Sequence, residues 1–198
     1  GVISPWNYPL VLAVSDALAA LVAGNGIVIK PDSQTPFTAL RAFELLEEAG
    51  LPEGLVQIVT GPGTQVGTAI IDSTDYVMFT GSTEVARILQ RTVAGRLDAA
   101  GRPIPLIAET GGQNAMIVDS SALVEQVVGD AVSSAFDSAG QRCSALRVLC
   151  LQEDIADRVL ARTLEDTEVE FDFPLRTEHG GGGWWGFRVW ATWLPAAV

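Results

Sequence analysis

Tyr76-Val77-Met78-Phe79-Thr80-Gly81-Ser82-Thr83-Glu84 (76–84) changes its pattern midway. Tyr76–Phe79 is a short continuous apolar run, as expected of a strand buried on both faces. Ser82 or Thr83 then offers an N-cap with Glu84 close behind, so a helix is expected from about Ser82 to Leu97. Gly81 lies between the two elements, where a ligand can approach the backbone. The free N–H groups of a first helical turn can hold an anion such as a pyrophosphate. Capping and anion binding are compatible roles for the same turn.

The same strand–turn–helix unit recurs upstream. Val2-Ile3-Ser4 reads as the end of a strand stopped by Pro5, and Tyr8–Ala23 reads as a helix closed by Gly24-Asn25-Gly26. Ile27-Val28-Ile29 is a buried strand. Thr35-Pro36 is expected to start a helix, with threonine as cap and proline at the first helical position. Leu55–Val59 is a further strand, and a glycine-bearing turn leads to a helix near Thr64–Ile71. Strand and helix thus alternate four times, which predicts an α/β domain: a doubly wound parallel sheet with helices on both faces. Such sheets bind ligands beyond the carboxyl ends of their strands, so the informative turns follow Ile3, Ile29, Val59 and Phe79.

Downstream, Leu106–Ala108 and Met116–Val118 read as strands flanking Gly111-Gly112. A helix over about 122–138, a strand at Arg147–Leu151 and a helix at Ile155–Leu164 follow. After Thr167 the pattern breaks down. Gly180–Gly183 is a glycine run, and Trp184, Trp185, Trp190 and Trp193 crowd behind it with no period that would bury them together.

Composition narrows the function classes. An apolar fraction of 48% supports a sizeable core, and a net charge of -12 argues against nucleic acid, which needs a basic face. Residues 152–178 hold nine acidic residues against three arginines, so half of that charge sits late in the chain. Cys143 and Cys150 match no zinc or dithiol spacing, and His179 is the single histidine, so no metal site is expected. Two cysteines make no disulfide framework for a chain this long, which favours a reducing, cytoplasmic setting. Leu10–Val22 is apolar but too short to span a bilayer and contains Asp16, so no membrane association is expected. A start at Gly1, directly on strand-like sequence, reads as a fragment.

The turns carry the candidate chemistry. In Ser4-Pro5-Trp6-Asn7-Tyr8-Pro9 the prolines stiffen the backbone, and the Asn7 amide can stabilise an oxyanion or simply cap the next helix. In Lys30-Pro31-Asp32-Ser33-Gln34 the lysine can reach ribose hydroxyls or phosphate, or be merely a solvated strand end. A carboxylate at a ribose-binding turn would repel a 2'-phosphate, and Ser33 does not. Gly61-Pro62-Gly63-Thr64-Gln65-Val66-Gly67 is one residue too long for a dinucleotide fingerprint. Glu109 stands before Gly111-Gly112, and Cys143 closes Gly140-Gln141-Arg142-Cys143. A thiol can attack a carbonyl, and a carboxylate can activate the water that later frees the product. Taken singly, a cysteine is more often a packing residue and a glutamate a solvated one.

Pro5-Trp6-Asn7, Lys30-Pro31, Phe79-Thr80-Gly81-Ser82, Glu109-Thr110-Gly111-Gly112 and Gly140-Gln141-Arg142-Cys143 follow the order and spacing of the aldehyde dehydrogenase superfamily, which the chain resembles across residues 1–160. The resemblance implies a Rossmann-variant cofactor domain over 1–108, the start of an α/β catalytic domain over 109–164, and an atypical tail over 165–198, disordered or mis-joined. It implies Cys143 as nucleophile, Glu109 as base, and an oxyanion hole from the Asn7 side chain and the Cys143 N–H. It places NAD or NADP against Ser4, Pro5, Trp6, Lys30, Ser33, Gly63, Gly67, Phe79, Gly81, Ser82, Glu109 and Gly111. A small-molecule aldehyde is the implied substrate, and a homo-oligomer the implied parent assembly.

Two branches are represented. Residues 1–78, with Lys30–Pro36, resemble succinate-semialdehyde dehydrogenases that use NADP. Residues 79–160, with Ala86–Arg91, Arg102–Glu109 and Phe136–Arg147, are similar to the glutamate-semialdehyde dehydrogenase module of proline utilisation A, an enzyme of proline catabolism. This implies a fragment or hybrid joined near Phe79–Ser82. L-Glutamate γ-semialdehyde is the first expected substrate, with Ser144 as a candidate contact to its carboxylate, and succinate semialdehyde the second. The resemblance also implies that later catalytic segments are missing, so an inactive cofactor-binding fragment is the alternative from another class.

Overall fold

The structure is a computed structural model that describes residues 1–166, 176–177 and 187–191, with side chains described through residue 163. It divides into a first unit, Gly1–Thr110, and a second unit from Gly111 onward.

The first unit is a five-stranded sheet in the order β3-β2-β1-β4-β5, built from Val2–Ile3 (β1), Ile27–Lys30 (β2), Val56–Ile58 (β3), Val77–Gly81 (β4) and Leu106–Thr110 (β5). All four pairings are parallel. Four helices alternate with the strands: Val11–Val22 (α1), Pro36–Glu48 (α2), Thr68–Ser73 (α3) and Thr83–Val93 (α4). Ala17 of α1 and Phe43 of α2 bury Val2, Ile27, Ile29 and Val56. Ile71 of α3 with Ala86, Leu89 and Val93 of α4 bury Val77 and Phe79. Met78, between those last two residues, packs instead into the cluster under α1 and α2. Consecutive β4 side chains therefore enter different cores, which is why these strands read as unbroken apolar runs.

Local signals account for most boundaries. Gly24 adopts φ 85° where α1 stops, and its amide donates to the Leu21 carbonyl at 2.8 Å. Ser82 caps α4 by accepting from the Val85 amide at 3.3 Å. Pro36 opens α2 as expected, but the Thr35 side chain makes no cap bond, and its Oγ is buried without a partner among the described residues. Between β3 and α3 the chain forms a π-helical turn, Gly63–Gly67, and not the start of a regular helix. The fourth helix ends four residues before Leu97, which pairs with Pro103 across a tight loop. Asp98 organises that loop by accepting from the Ala100 and Arg102 amides and the Arg102 guanidinium, each at 2.8 Å.

In the second unit Ala115–Val118 (β6) and Val148–Gln152 (β7) are parallel. Val124–Phe136 (α5) and Glu153–Asp166 (α6) cover them, around a core of Val118, Val127, Val128, Leu151, Ile155 and Val159. Arg176–Thr177 (β8) and Phe187–Ala191 (β9) extend this sheet in the order β6-β7-β9-β8, both pairings antiparallel. Within the expected tail, these two segments are therefore strands. Phe187-Arg188-Val189-Trp190-Ala191 is rich in the β-branched and aromatic types that suit one. The glycine run and Trp184, Trp185 and Trp193 lie outside the described residues. Among the described residues, no helix is long and apolar enough to cross a membrane.

Candidate functional site

Parallel register gathers the expected ligand-facing turns of the first unit on one edge. Ile3 lies beside Lys30 and beside Phe79, and Thr80 lies beside Glu109. The Ser4 amide continues the pairing past β1 by donating to the Lys30 carbonyl at 3.1 Å. The turns from Ser4, Lys30, Gly81 and Glu109 thus leave the same carboxyl edge.

Two polar side chains are buried there with little protein compensation. Ser4 is 4% exposed, and its Oγ has no partner among the described residues. Lys30 is 6% exposed, and its Nζ donates to the Pro31 carbonyl at 3.2 Å. No carboxylate pairs with it among the described residues. A buried ammonium is costly without an acceptor set, and one carbonyl leaves donors over for a ligand. The residues present therefore fit a hydroxyl-rich, anionic cofactor.

Ser33 is exposed, and its hydroxyl donates to the Gly61 carbonyl at 3.3 Å, tying the turn after β2 to the turn after β3. Beside this bond lies a cleft of about 840 Å³ walled by Pro36, Phe37, Leu40, Ile58 and Pro62. Gly63 and Gly67 bound the π-helical turn, and a Cβ at Gly63 would meet nothing within 4 Å. Gly81 is different. A Cβ there would come within 2.6 Å of the Phe79 ring, so any larger residue would have to displace that buried ring. Phe79 is 5% exposed, and its ring packs in the core, shaping the turn from beneath.

Pro5 is buried, and Trp6 and Asn7 are half-buried. Leu10 occupies the cap position of α1, so Asn7 is not that helix's cap. Glu109 is exposed on β5, the edge strand. The structure adds a neighbour that sequence reasoning missed. Burial, and secondarily the charge of Glu109, raise the Asp16 carboxyl above its ordinary range. An aspartate in the otherwise apolar Leu10–Val22 run was the available signal.

In the second unit Cys143 is exposed, on the loop between a short 3-10 turn, Asp137–Gly140, and β7. The approach to it is left-handed at three consecutive residues: Ser138 (φ 55°), Ala139 (φ 56°) and Gly140 (φ 68°). Only the glycine adopts this conformation freely. Arg147 holds the loop by donating to the Gly140 carbonyl at 2.9 Å and the Arg142 carbonyl at 3.5 Å. Asn114 Nδ2 donates to the carbonyls of Cys143 at 2.7 Å and Ala145 at 2.9 Å. Ala145 and Leu146 are buried, whereas Ser144 is exposed beside the thiol. Gly111, at the head of the second unit, directly follows β5. The expected site residues thus fall in two groups: Asn7 and Glu109 with the carboxyl-edge turns of the first unit, and Cys143 on its loop in the second.

A doubly wound parallel sheet whose glycine- and lysine-bearing turns share a carboxyl edge defines an α/β protein of the dinucleotide-binding type. More specifically, the chain belongs to the aldehyde dehydrogenase family, whose profile matches residues 1–178. It is 62% identical over 160 residues to the bifunctional protein PutA of Escherichia coli K12, covering 80% of this chain and 12% of that protein. It is 51% identical over 158 residues to a putative succinate-semialdehyde dehydrogenase [NADP(+)] 2 of Mycobacterium ulcerans, covering 79% of this chain and 29% of that protein. A solved proline utilization A structure, with proline bound in remote sites, superposes with a TM-score of 0.76 at 52% identity, over 82% of this chain and 16% of that one. The chain therefore spans about an eighth of the first relative and less than a third of the second.

Proposed function

We propose that the chain carries the cofactor-binding and nucleophile-bearing segments of an NAD(P)-dependent aldehyde dehydrogenase that oxidises L-glutamate γ-semialdehyde to glutamate. The loop of Cys143 carries this reading: an exposed thiol a few residues after strained backbone at Ser138 and Ala139, with polar side chains fixing the loop on both sides. The Cys143 thiolate attacks the aldehyde carbon to give a thiohemiacetal. The Asn7 amide and the Cys143 N–H stabilise the negative oxygen that forms, an effect worth about 3–4 kcal/mol for one good donor. NAD(P), when bound, supplies the hydride acceptor that converts the thiohemiacetal to a thioester. Glu109 then takes a proton from water, which hydrolyses the thioester to the acid and frees the thiol.

For the cofactor, Lys30 and Ser33 would hold the adenosine ribose, with the flat base over the apolar wall of Phe37 and Leu40. Gly81, Ser82 and the first turn of α4 would receive the pyrophosphate. Ser33 presents a hydroxyl where a carboxylate would repel a 2'-phosphate, so both NAD and NADP are accepted. Substrate choice follows the relative with the higher identity, and Ser144, exposed next to Cys143 in the chain, would bond a substrate carboxylate. The second reading, succinate semialdehyde, draws on the Mycobacterium ulcerans relative. Cys143 must stay a reduced thiol, which supports a reducing setting such as the cytoplasm.

The test is nicotinamide reduction with each semialdehyde by the chain alone and by a chimera in which it replaces the matching segment of the Escherichia coli relative. The chain alone should be silent. The chimera should oxidise glutamate semialdehyde preferentially; preference for succinate semialdehyde would establish the second reading. A folded chimera with a reactive Cys143 but no turnover with either would overturn aldehyde oxidation.

A further inference from the structure

We infer that Asn114 is the positioning residue of the nucleophile loop, fixing the backbone on the C-terminal side of Cys143 through its side-chain amide. The inference rests on the reading of Cys143 as nucleophile. Asn114 directly precedes β6, yet its side chain reaches a loop 29 residues further along the chain. Its Nδ2 donates to the Cys143 and Ala145 carbonyls, so both amide hydrogens are used on the two carbonyls that bracket Ser144. Its backbone carbonyl accepts from the amides of Arg147 at 2.9 Å and Val148 at 3.0 Å, where β7 begins. One residue therefore anchors the loop through its side chain and the loop's exit through its backbone.

The loop needs this support. Left-handed backbone costs roughly 1–2 kcal/mol per non-glycine residue, and Ser138 and Ala139 both adopt it. Within the loop the Gln141 amide donates to Ser138 and the Ala145 amide to Arg142, while the Leu146 amide ties the loop's end to Ser134 of α5. Arg147 restrains the stretch before Cys143, at Gly140 and Arg142, and Asn114 restrains the stretch after it. A reacting group must be held to within about 0.5 Å of its productive position, which an exposed thiol on a loop with strained backbone at its start does not achieve unaided. Few short side chains can substitute. Serine offers one donor, aspartate none, and glutamine adds a methylene that displaces the amide.

Two variants test the assignment in the chain itself. Asn114→Ala removes the donors and the side chain; Asn114→Asp keeps the shape and turns the donors into acceptors. In both, the Ala145 and Leu146 amides should exchange with deuterium about tenfold faster, while β6 and β7 keep their protection. Alkylation by iodoacetamide should fall about threefold at Cys143 relative to Cys150 in the same molecule. Unchanged loop exchange and an unchanged Cys143-to-Cys150 ratio in folded variants would overturn the inference. So would equal acceleration of loop and strands in both variants, which would assign Asn114 to general stability. Neither measurement uses a nicotinamide cofactor, so failure of the clamp is distinguishable from failure of the dehydrogenase reading.

Discussion

In the first unit each expected ligand-facing turn begins where a parallel strand ends, so sheet register alone sets Ser4, Lys30, Gly81 and Glu109 along one edge. In the second unit the Cys143 loop gets its shape from side chains that cross to it, and its backbone is left-handed where it approaches the thiol. The difference suits the two tasks proposed for these regions. A cofactor is bound through several contacts of moderate strength, and a rigid edge supplies them together. A nucleophile is a single atom whose position must be held, and local clamps do this at the cost of backbone strain.

The sharpest test of the comparison is removal of the reactive atom. Cys143→Ala should abolish aldehyde oxidation in the chimera, a loss of at least about 10⁴-fold. Nicotinamide cofactor binding should persist, because Cys143 is exposed and contributes nothing to the core. Retained turnover would place the nucleophile elsewhere. Next in size are the cores beneath the two regions. Leu151 and Ile29 are both 0% exposed, and Leu151→Ala or Ile29→Ala should each cost about 2–5 kcal/mol, measured by denaturant unfolding.

Lys30 separates binding from stability. Lys30→Met should weaken NAD(P) binding about tenfold by calorimetry while leaving the melting temperature unchanged or higher, since a buried ammonium with no carboxylate partner among the described residues is costly. A drop in melting temperature would mean that the lysine serves the fold instead. Ser33→Glu probes the same edge more gently. It should shift the ratio of NADP to NAD affinity toward NAD by about tenfold, through repulsion of the 2'-phosphate.

The smallest effect is expected at Asp16. Burial first, and the Glu109 charge second, raise its carboxyl above the ordinary value of 3.8. The folded state therefore holds this proton to higher pH than the unfolded chain. Stability from this group is highest below 3.8, falls as pH rises through the interval up to the raised value, and is lowest above it. Asp16→Asn should thus raise the melting temperature at neutral pH by about 1–2 °C, a small gain because solvent screens a half-exposed carboxylate. The gain should vanish in acid; a gain independent of pH would rule out titration as its origin.

Much of the fold could be read before the structure, because the signals are local. Apolar runs marked β2 and β4 as strands buried on both faces, and proline and glycine marked the start of α2 and the end of α1. Thr35 shows the limit of such signals: it has the right residue type for a cap, yet its hydroxyl faces inward without a partner among the described residues. The strands at Arg176–Thr177 and Phe187–Ala191 escaped notice because glycine- and tryptophan-rich sequence between them hides any period.

The sequence by itself determined the order of strands and helices through α6 and the positions of the turns between them. These follow from residue type and spacing along the chain, which periodicity and capping report directly. Only the tertiary structure decided the strand order β3-β2-β1-β4-β5, the approach of Asp16 to Glu109, the packing of the Phe79 ring against Gly81 and the reach of Asn114 to the Cys143 loop. Each depends on which distant segments pack together. A hydrogen bond across 29 residues leaves no local period to read, because its partners meet only when the strands before and after the loop have paired.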